Sequence, residues 1–349
     1  MIGVGIIGCG KIAQIRHIPE YLENGRVKLT AFYDLNYERA KALAEVYGGT
    51  ACKSYEELLN RSDVDAVSVC TATSDHGKIT VDALNAGKHV LCEKPMAASL
   101  EEAEAMVEAA NKNGRYLMID QNQRLTKGHQ YAKRLIERGE IGKIITFQTS
   151  FGHGGPEKWS IDSGKSTWFF DKKRAFMGAM ADLGIHKIDL VQYLLGEVVA
   201  EIFSAMDTLD KKDADGKAIS VEDNAFCVLR MESGIIGTMT ASWTHYGAED
   251  NSTVFYGSDG IMRIYDSPEY TIKVIPKSGG EVLYKLDQIQ TNDHQTSTGI
   301  IDAFVSSILE EKEPEISGQS VLEAMRAVWA AAESAKCGKM IAVERKKQN

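Results

Sequence analysis

Apolar and polar positions change rhythm along this chain, and the change divides it in two. Ile2–Ile7 is a short apolar run that reads as a β-strand, and a helical pattern follows from about Lys11 to Glu23. Val27–Asp34 repeats the strand signal and Asn36–Tyr47 the helical one. Ser54-Tyr-Glu-Glu57 fits a capping box, in which a serine hydroxyl and a glutamate three residues on satisfy free amides at a helix start. Val64–Cys70, rich in valine, suits a strand buried on both faces. The next helix, about Asp75–Ala86, stops at Gly87, a natural residue just past a helix end. Lys88–Glu93 is strand-like. A second capping box, Ser99-Leu-Glu-Glu102, opens a helix that ends near Gly114, and Tyr116–Gln121 closes the series. Strands alternating with helices predict βαβ units and a parallel, doubly wound sheet.

The rhythm changes after about Asn122. A helix (about Gly128–Arg138), a strand (Ile144–Phe151), a loop rich in glycine and aromatic residues, and a strong helix (about Asp182–Leu195) follow. From Val199 to Leu286, strand candidates are joined by turns such as Ser233-Gly234 and Ser278-Gly279-Gly280, which predicts an open, mostly antiparallel sheet. Helices at about Ser297–Glu311 and Ser320–Lys336 end the pattern. The expected architecture is therefore a doubly wound α/β unit over 1–121 and an α+β unit over 122–349, with the last helices able to pack back on the first unit.

Length and composition narrow the class. A chain of 349 residues, at ~150 per domain, suits two domains. The 44% hydrophobic content supports a large core, and the net charge of −9 disfavours nucleic-acid binding. No run approaches the ~20 apolar residues of a membrane helix, and the start lacks a signal-peptide pattern. Six scattered cysteines without a C-x-x-C pair read as reduced thiols, so a cytoplasmic protein is expected. The eight histidines offer no metal-ligand spacing, so no metal site is expected.

Gly8-Cys9-Gly10-Lys11-Ile12-Ala13 matches G-x-G-x-x-A between the first strand and the first helix, the context a dinucleotide loop requires. Gly8 permits the turn, Gly10 lets backbone approach a pyrophosphate, and the helix start offers free amides to phosphate, with Lys11 and Ile12 alongside. Asp34 ends the second strand, where a carboxylate accepts hydrogen bonds from ribose hydroxyls and repels a 2′-phosphate, favouring NAD over NADP. Ligands of such sheets lie beyond the carboxyl ends of strands. Thr71, Thr73 and His76 follow one strand end, Glu93 and Lys94 the next, and Gln121 and Arg124 the last. In Ala181–Tyr193, helical periodicity puts Asp182, His186, Asp189 and Tyr193 on one stripe about 60° wide. That stripe is compatible with proton transfer; an N-cap at Asp182 followed by an exposed polar face fits the same spacing.

Together, Gly8–Ala13, "NAGKHVLCEKP" at Asn85–Pro95 and "MADLGIHKIDLVQYLLG" at Met180–Gly196 resemble the Gfo/Idh/MocA family, named for glucose–fructose oxidoreductase and inositol dehydrogenase. The resemblance covers nearly the whole chain. It implies a Rossmann domain, a second domain whose sheet forms subunit interfaces, and hence a homodimer or homotetramer. It implies hydride transfer between nicotinamide and a secondary alcohol or ketone of a sugar, cyclitol or related polyol. His186 would accept the hydroxyl proton, Asp182 would orient His186, and Lys94 would steady the alcohol oxygen. His76 would stand beside the cofactor, with Thr71, Thr73, Glu93, Lys94 and Gln121 as further cofactor contacts. Arg124, His153, Trp168 and Tyr246 are candidate substrate contacts beside Lys94, Asp182 and His186. Gly178-Ala179-Met180-Ala181 departs from the family's glycine-rich segment. An NAD-dependent glycosidase using transient sugar oxidation, or a non-catalytic dinucleotide-binding regulator, are the alternatives the fold permits.

Overall fold

A computed structural model describes residues 1–289, 291, 297 and 299–345. The first part alternates as expected: β1 (Ile2–Ile7), a π turn Ala13–His17 leading into α1 (Ile18–Glu23), β2 (Val27–Tyr33), α2 (Tyr37–Tyr47), β3 (Thr50–Ala51), α3 (Tyr55–Leu59), β4 (Ala66–Val69), α4 (Thr73–Asn85), β5 (His89–Cys92), α5 (Leu100–Asn113) and β6 (Leu117–Ile119). The strands form a six-stranded sheet in the order β3-β2-β1-β4-β5-β6, parallel at every pairing. β1, β4 and β6 are buried throughout, which explains their apolar runs. Both serine caps form: Ser54 Oγ accepts from Glu57 N at 3.2 Å and Ser99 Oγ from Glu102 N at 3.1 Å. The returning glutamates meet the amides of Lys53 and Ala98, one residue before each cap.

The second part runs α6 (Lys127–Glu137), β7 (Ile144–Gly152), α7 (Lys172–Ala175), a π turn Met180–Gly184 continuous with α8 (Ile185–Leu195), β8 (Val199–Asp207), β9 (Asn224–Met231), β10 (Ile236–Ser242), β11 (Thr253–Gly257), β12 (Gly260–Ser267), β13 (Tyr270–Pro276), β14 (Val282–Tyr284), α9 (Ile300–Leu309), α10 (Gly318–Cys337) and β15 (Ile341–Ala342). The helix expected at Ser297–Glu311 is thus observed from Ile300, and residue 298 lies outside the described residues. Nine strands form one sheet in the order β14-β13-β12-β11-β7-β10-β9-β8-β15, antiparallel except for β10 against β7. One face carries the core, with Phe147, Cys227, Leu229, Met239 and Phe255 buried. Alternate residues on the other face are open: Phe226 is 47% and Ile236 40% exposed.

α10 packs on α5, α8 and β8, and Arg326 on it meets Glu104 of α5 at 2.8 Å, so the last long helix ties both sheets together. The segment before it lies along β6, with Ile119 N donating to Ile316 O at 3.0 Å. Of the six cysteines, five are buried and Cys337 is exposed, all unpaired. No helix among the described residues is long and apolar enough to cross a membrane.

Candidate active site

The carboxyl ends of β1, β2, β4 and β5 open into a cleft of about 740 Å³, whose far wall comes from β7, the 156–178 loop region and the start of the α8 turn. Gly8 takes φ +90°, and a Cβ there would lie 2.6 Å from the Cys70 backbone, so the strand-to-helix turn requires glycine. At Gly10, which lines the cleft, a Cβ would meet nothing within 4 Å, so the backbone there is open to the approach of a diphosphate. Lys11 and Ile12 line the same wall. Asp34 is held from both sides: its Oδ2 accepts Cys9 N and its Oδ1 accepts Asn36 N, each at 2.8 Å. Arg39 Nη1 stands 3.5 Å from Asp34 Oδ1, and Arg39 Nη2 meets Asp162 of the opposite wall at 2.9 Å. This glycine cradle, helix start and fixed carboxylate fit a dinucleotide.

Across the cleft, Lys94 Nζ reaches Asp182, meeting Oδ1 at 2.7 Å and the backbone carbonyl at 2.8 Å. Trp243, fully buried, donates its indole N–H to Asp182 Oδ2 at 3.0 Å. Burial opposes ionisation of Asp182, but Lys94, His153 and the indole outweigh it and hold the carboxyl below its usual range. Asp182 therefore orients Lys94, and no hydrogen bond joins it to His186, contrary to the sequence expectation. Nor is Asp182 an N-cap, because it sits inside the π turn. His186 lines the cleft with only 7% exposure, and its Nδ1 is buried without a partner among the described residues. Burial first and Lys94 second push its pKa well below the ordinary histidine value, so the ring is neutral at pH 7.

The stripe on the helix bearing Asp182 and His186 divides. It spans roughly 16 Å along the axis at 1.5 Å per residue, so a shared angle is not a shared place. The π turn also advances by a different angle from an α turn. Asp182 and His186 line the cleft, whereas Asp189 forms a buried pair with Arg124, whose Nε donates to Asp189 Oδ2 at 2.7 Å. This removes Arg124 from the candidate substrate contacts: its guanidinium is taken up by Asp189 and Ser320, away from the cleft lining.

Other candidates sort by position. Thr71, Thr73, Glu93, His153 and Trp168 line the cleft. His153 Nδ1 accepts from Gly155 N at 2.9 Å, so a neutral ring carries its proton on Nε2, which stands 3.9 Å from Asp182 Oδ2. Trp168 stacks on Phe169 with centroids 3.9 Å apart, giving the wall an apolar aromatic face. His76 does not line the cleft; it is buried, with Nδ1 2.8 Å from Pro95 O and Nε2 3.1 Å from Thr71 O, fastening two cleft loops together. Gln121 is buried behind the lining. Tyr246 is 65% exposed outside it, with its hydroxyl on Asp210. Sequence reasoning missed Trp243, Arg39 and Phe151; nothing local to a strand-end tryptophan signals that it will meet an aspartate 61 positions earlier.

Residues 2–121 match the pattern described as "Oxidoreductase family, NAD-binding Rossmann fold", and residues 129–263 match the "GFO/IDH/MocA C-terminal domain". The chain is 27% identical to a myo-inositol 2-dehydrogenase of Thermotoga maritima, over 95% of each chain. It is 30% identical to a dTDP-3,4-didehydro-2,6-dideoxy-alpha-D-glucose 3-reductase of Actinomadura kijaniata, over 76% of each. A solved levoglucosan dehydrogenase in complex with NADH superposes with a TM-score of 0.85 at 23% identity, covering 99% of this chain and 100% of that one. The chain belongs to the Gfo/Idh/MocA family and is an NAD(P)-dependent oxidoreductase with an NAD-binding Rossmann domain.

Proposed function

We propose that this enzyme interconverts a secondary alcohol and a ketone on a sugar, cyclitol or related polyol, with Lys94 and His186 handling the oxygen and its proton. The observation that carries this reading is the meeting of Lys94 with the Asp182 turn, 88 positions later, in the cleft that also holds Gly8, Gly10 and Asp34. Bound NAD(P) supplies the hydride acceptor or donor. In the oxidation direction, the neutral His186 imidazole takes the hydroxyl proton as the C–H bond breaks and C=O forms. The Lys94 ammonium, aimed by Asp182, stabilises negative charge developing on that oxygen. Trp243 in turn fixes Asp182. The Trp168–Phe169 face suits the apolar C–H side of a sugar ring, and His153 Nε2–H offers a donor to a hydroxyl. Residues 1–121 serve as the cofactor unit and 122–349 as the substrate unit. Working in the cytoplasm suits the unpaired cysteines.

Absorbance at 340 nm with NAD and NADP against inositols, aldoses, keto-sugars and sugar acids identifies the substrate. Lys94→Ala and His186→Ala are expected to lose turnover by ~10²-fold or more while still binding NADH; normal turnover in either would refute the roles given. The open face of the nine-stranded sheet, with Phe226, Ile236 and Ile145 exposed, supports a homodimer or homotetramer built on that face. Light scattering on the wild type and on Phe226→Asp tests this: a monomeric wild type would refute it.

A further inference from the structure

Close to Lys94, the ends of three parallel strands converge on one buried imidazole. His17, at the end of the first π turn, is fully buried. Its Nε2 lies 3.0 Å from Glu93 Oε1 and 3.4 Å from Asp120 Oδ2. Its Nδ1 lies 3.1 Å from Ser68 Oγ, which the Tyr21 hydroxyl meets at 2.8 Å. Ser68 belongs to β4, Glu93 follows β5 and Asp120 follows β6, so one ring fastens three strand ends. Glu93 turns its second oxygen to the next residue: Oε2 accepts Lys94 N at 3.2 Å. A continuous line of polar contacts therefore runs from Tyr21 through Ser68, His17, Glu93 and Lys94 to Asp182 and Trp243, from the first helix to the far wall.

Two buried carboxylates need this partner, because an unpaired charge in the interior is costly. Arg16 adds a second cation, with Nη1 3.6 Å from Asp120 Oδ2. The ligand-type atoms of His17, Glu93 and Asp120 lie within 4.8 Å of one another, as they would in a metal triad. However, His17 Nε2 is already at hydrogen-bond distance from Glu93, so a ring proton rather than a cation joins them. Burial opposes a charged ring here, but the adjacent carboxylates of Asp120 and Glu93 hold the His17 pKa well above the ordinary value. Both ring nitrogens then donate.

We propose that His17 is a positioning residue for the reaction, acting through Glu93 on the backbone of Lys94 and so on where the ammonium meets substrate oxygen. The proposal rests on the role given above to Lys94. Two polar substitutions separate the arms of the ring. His17→Gln keeps a donor at the Nε2 position, toward Glu93, while His17→Asn keeps one at the Nδ1 position, toward Ser68, and loses the link to Glu93. Each is made in the full chain, alone and with Lys94→Ala. NADH affinity is read by fluorescence, kcat and KM by absorbance, and melting temperature by calorimetry.

With correct positioning, His17→Asn lowers kcat by about 10- to 100-fold well below its melting temperature. NADH affinity stays within about 3-fold and His17→Gln recovers most of the loss. In the Lys94→Ala background His17→Asn adds little, because both act on one group. Equal kcat in the two His17 variants, or multiplicative losses with Lys94→Ala, would overturn the proposal. If Lys94→Ala itself turned over normally, the role of Lys94 would fall first and this inference with it; a damaged Lys94→Ala beside an undamaged His17→Asn would remove this inference alone.

Discussion

At the scale of single residues, charge placement decides the chemistry. Asp34 lines the cleft at the strand end expected to meet the ribose, yet Arg39 stands only 3.5 Å away. Removing the carboxylate leaves a cation beside an open space, which a 2′-phosphate would fill. Asp34→Ser is therefore expected to raise the NADP-to-NAD ratio of kcat/KM by at least about 10-fold, since ~1.4 kcal/mol of relieved repulsion suffices. An unchanged ratio would show that Asp34 does not discriminate. His186 carries a second test. Its pKa is depressed by burial and then by Lys94, so the neutral Lys94→Met side chain must move it upward. An NMR titration of ring-labelled protein is expected to show that rise; a fall or no change would contradict the electrostatic account. Gly8, Gly10, Asp34, Lys94, Asp182 and His186 were all legible as cleft residues, because each sits at a strand end or in a motif whose geometry is local. Arg124 and Tyr246 were misread because their partners, Asp189 and Asp210, are set by packing between distant segments.

At the scale of the element, the helix bearing Asp182 and His186 has no side-chain cap of its own. Glu222, from the segment before β9, supplies one: its Oε1 accepts Gly178 N at 2.8 Å and Met180 N at 3.0 Å, while its backbone carbonyl accepts Ala179 N at 3.0 Å. Burial raises this carboxyl to about 7. Glu222→Ala is expected to cost about 0.5–2 kcal/mol in urea unfolding, the range for a lost cap, and Glu222→Gln to recover part of it through its amide oxygen. A Cβ on Gly178 would fall 1.9 Å from the Glu222 carbonyl, so Gly178→Ala must push the turn away and lower kcat with it. The order and type of the longer elements were readable from period and capping residues, but β3, α7 and β15, of only two to four residues each, are too short to show a period. The two π turns were not readable either, since an inserted residue changes no composition and leaves the apolar rhythm nearly intact. Uniform helical spacing consequently paired Asp182 with His186, where the folded chain pairs it with Lys94 and Trp243.

At the scale of the whole molecule, buried imidazoles set the response to acid. His129 is fully buried and pushed down to about 3, chiefly by burial, and His186 is shifted in the same direction. Both stay neutral in the folded chain and take up protons on unfolding below the ordinary histidine value. Their contribution is complete above pH ~6.5 and lost as pH falls towards the folded values, at about 1.4 kcal/mol per pH unit each. His17 has the opposite sign, its contribution being complete below pH ~6.5 and lost as pH rises through its elevated folded value. Urea unfolding is expected to give lower stability at pH 5 than at pH 7, and His129→Asn to flatten that slope; an unchanged slope would count against the assignment.

The segment at Ile316–Ser317 has a wider consequence. β6 ends the parallel sheet, and its outer flank would present free amides and carbonyls were Ile316 not bonded to Ile119. Exposed strand edges recruit other chains. The stretch that leads into the last long helix is thus a guard against aggregation. A chain ending before it would lose the α10 tie between the sheets and gain a sticky flank in the same cut.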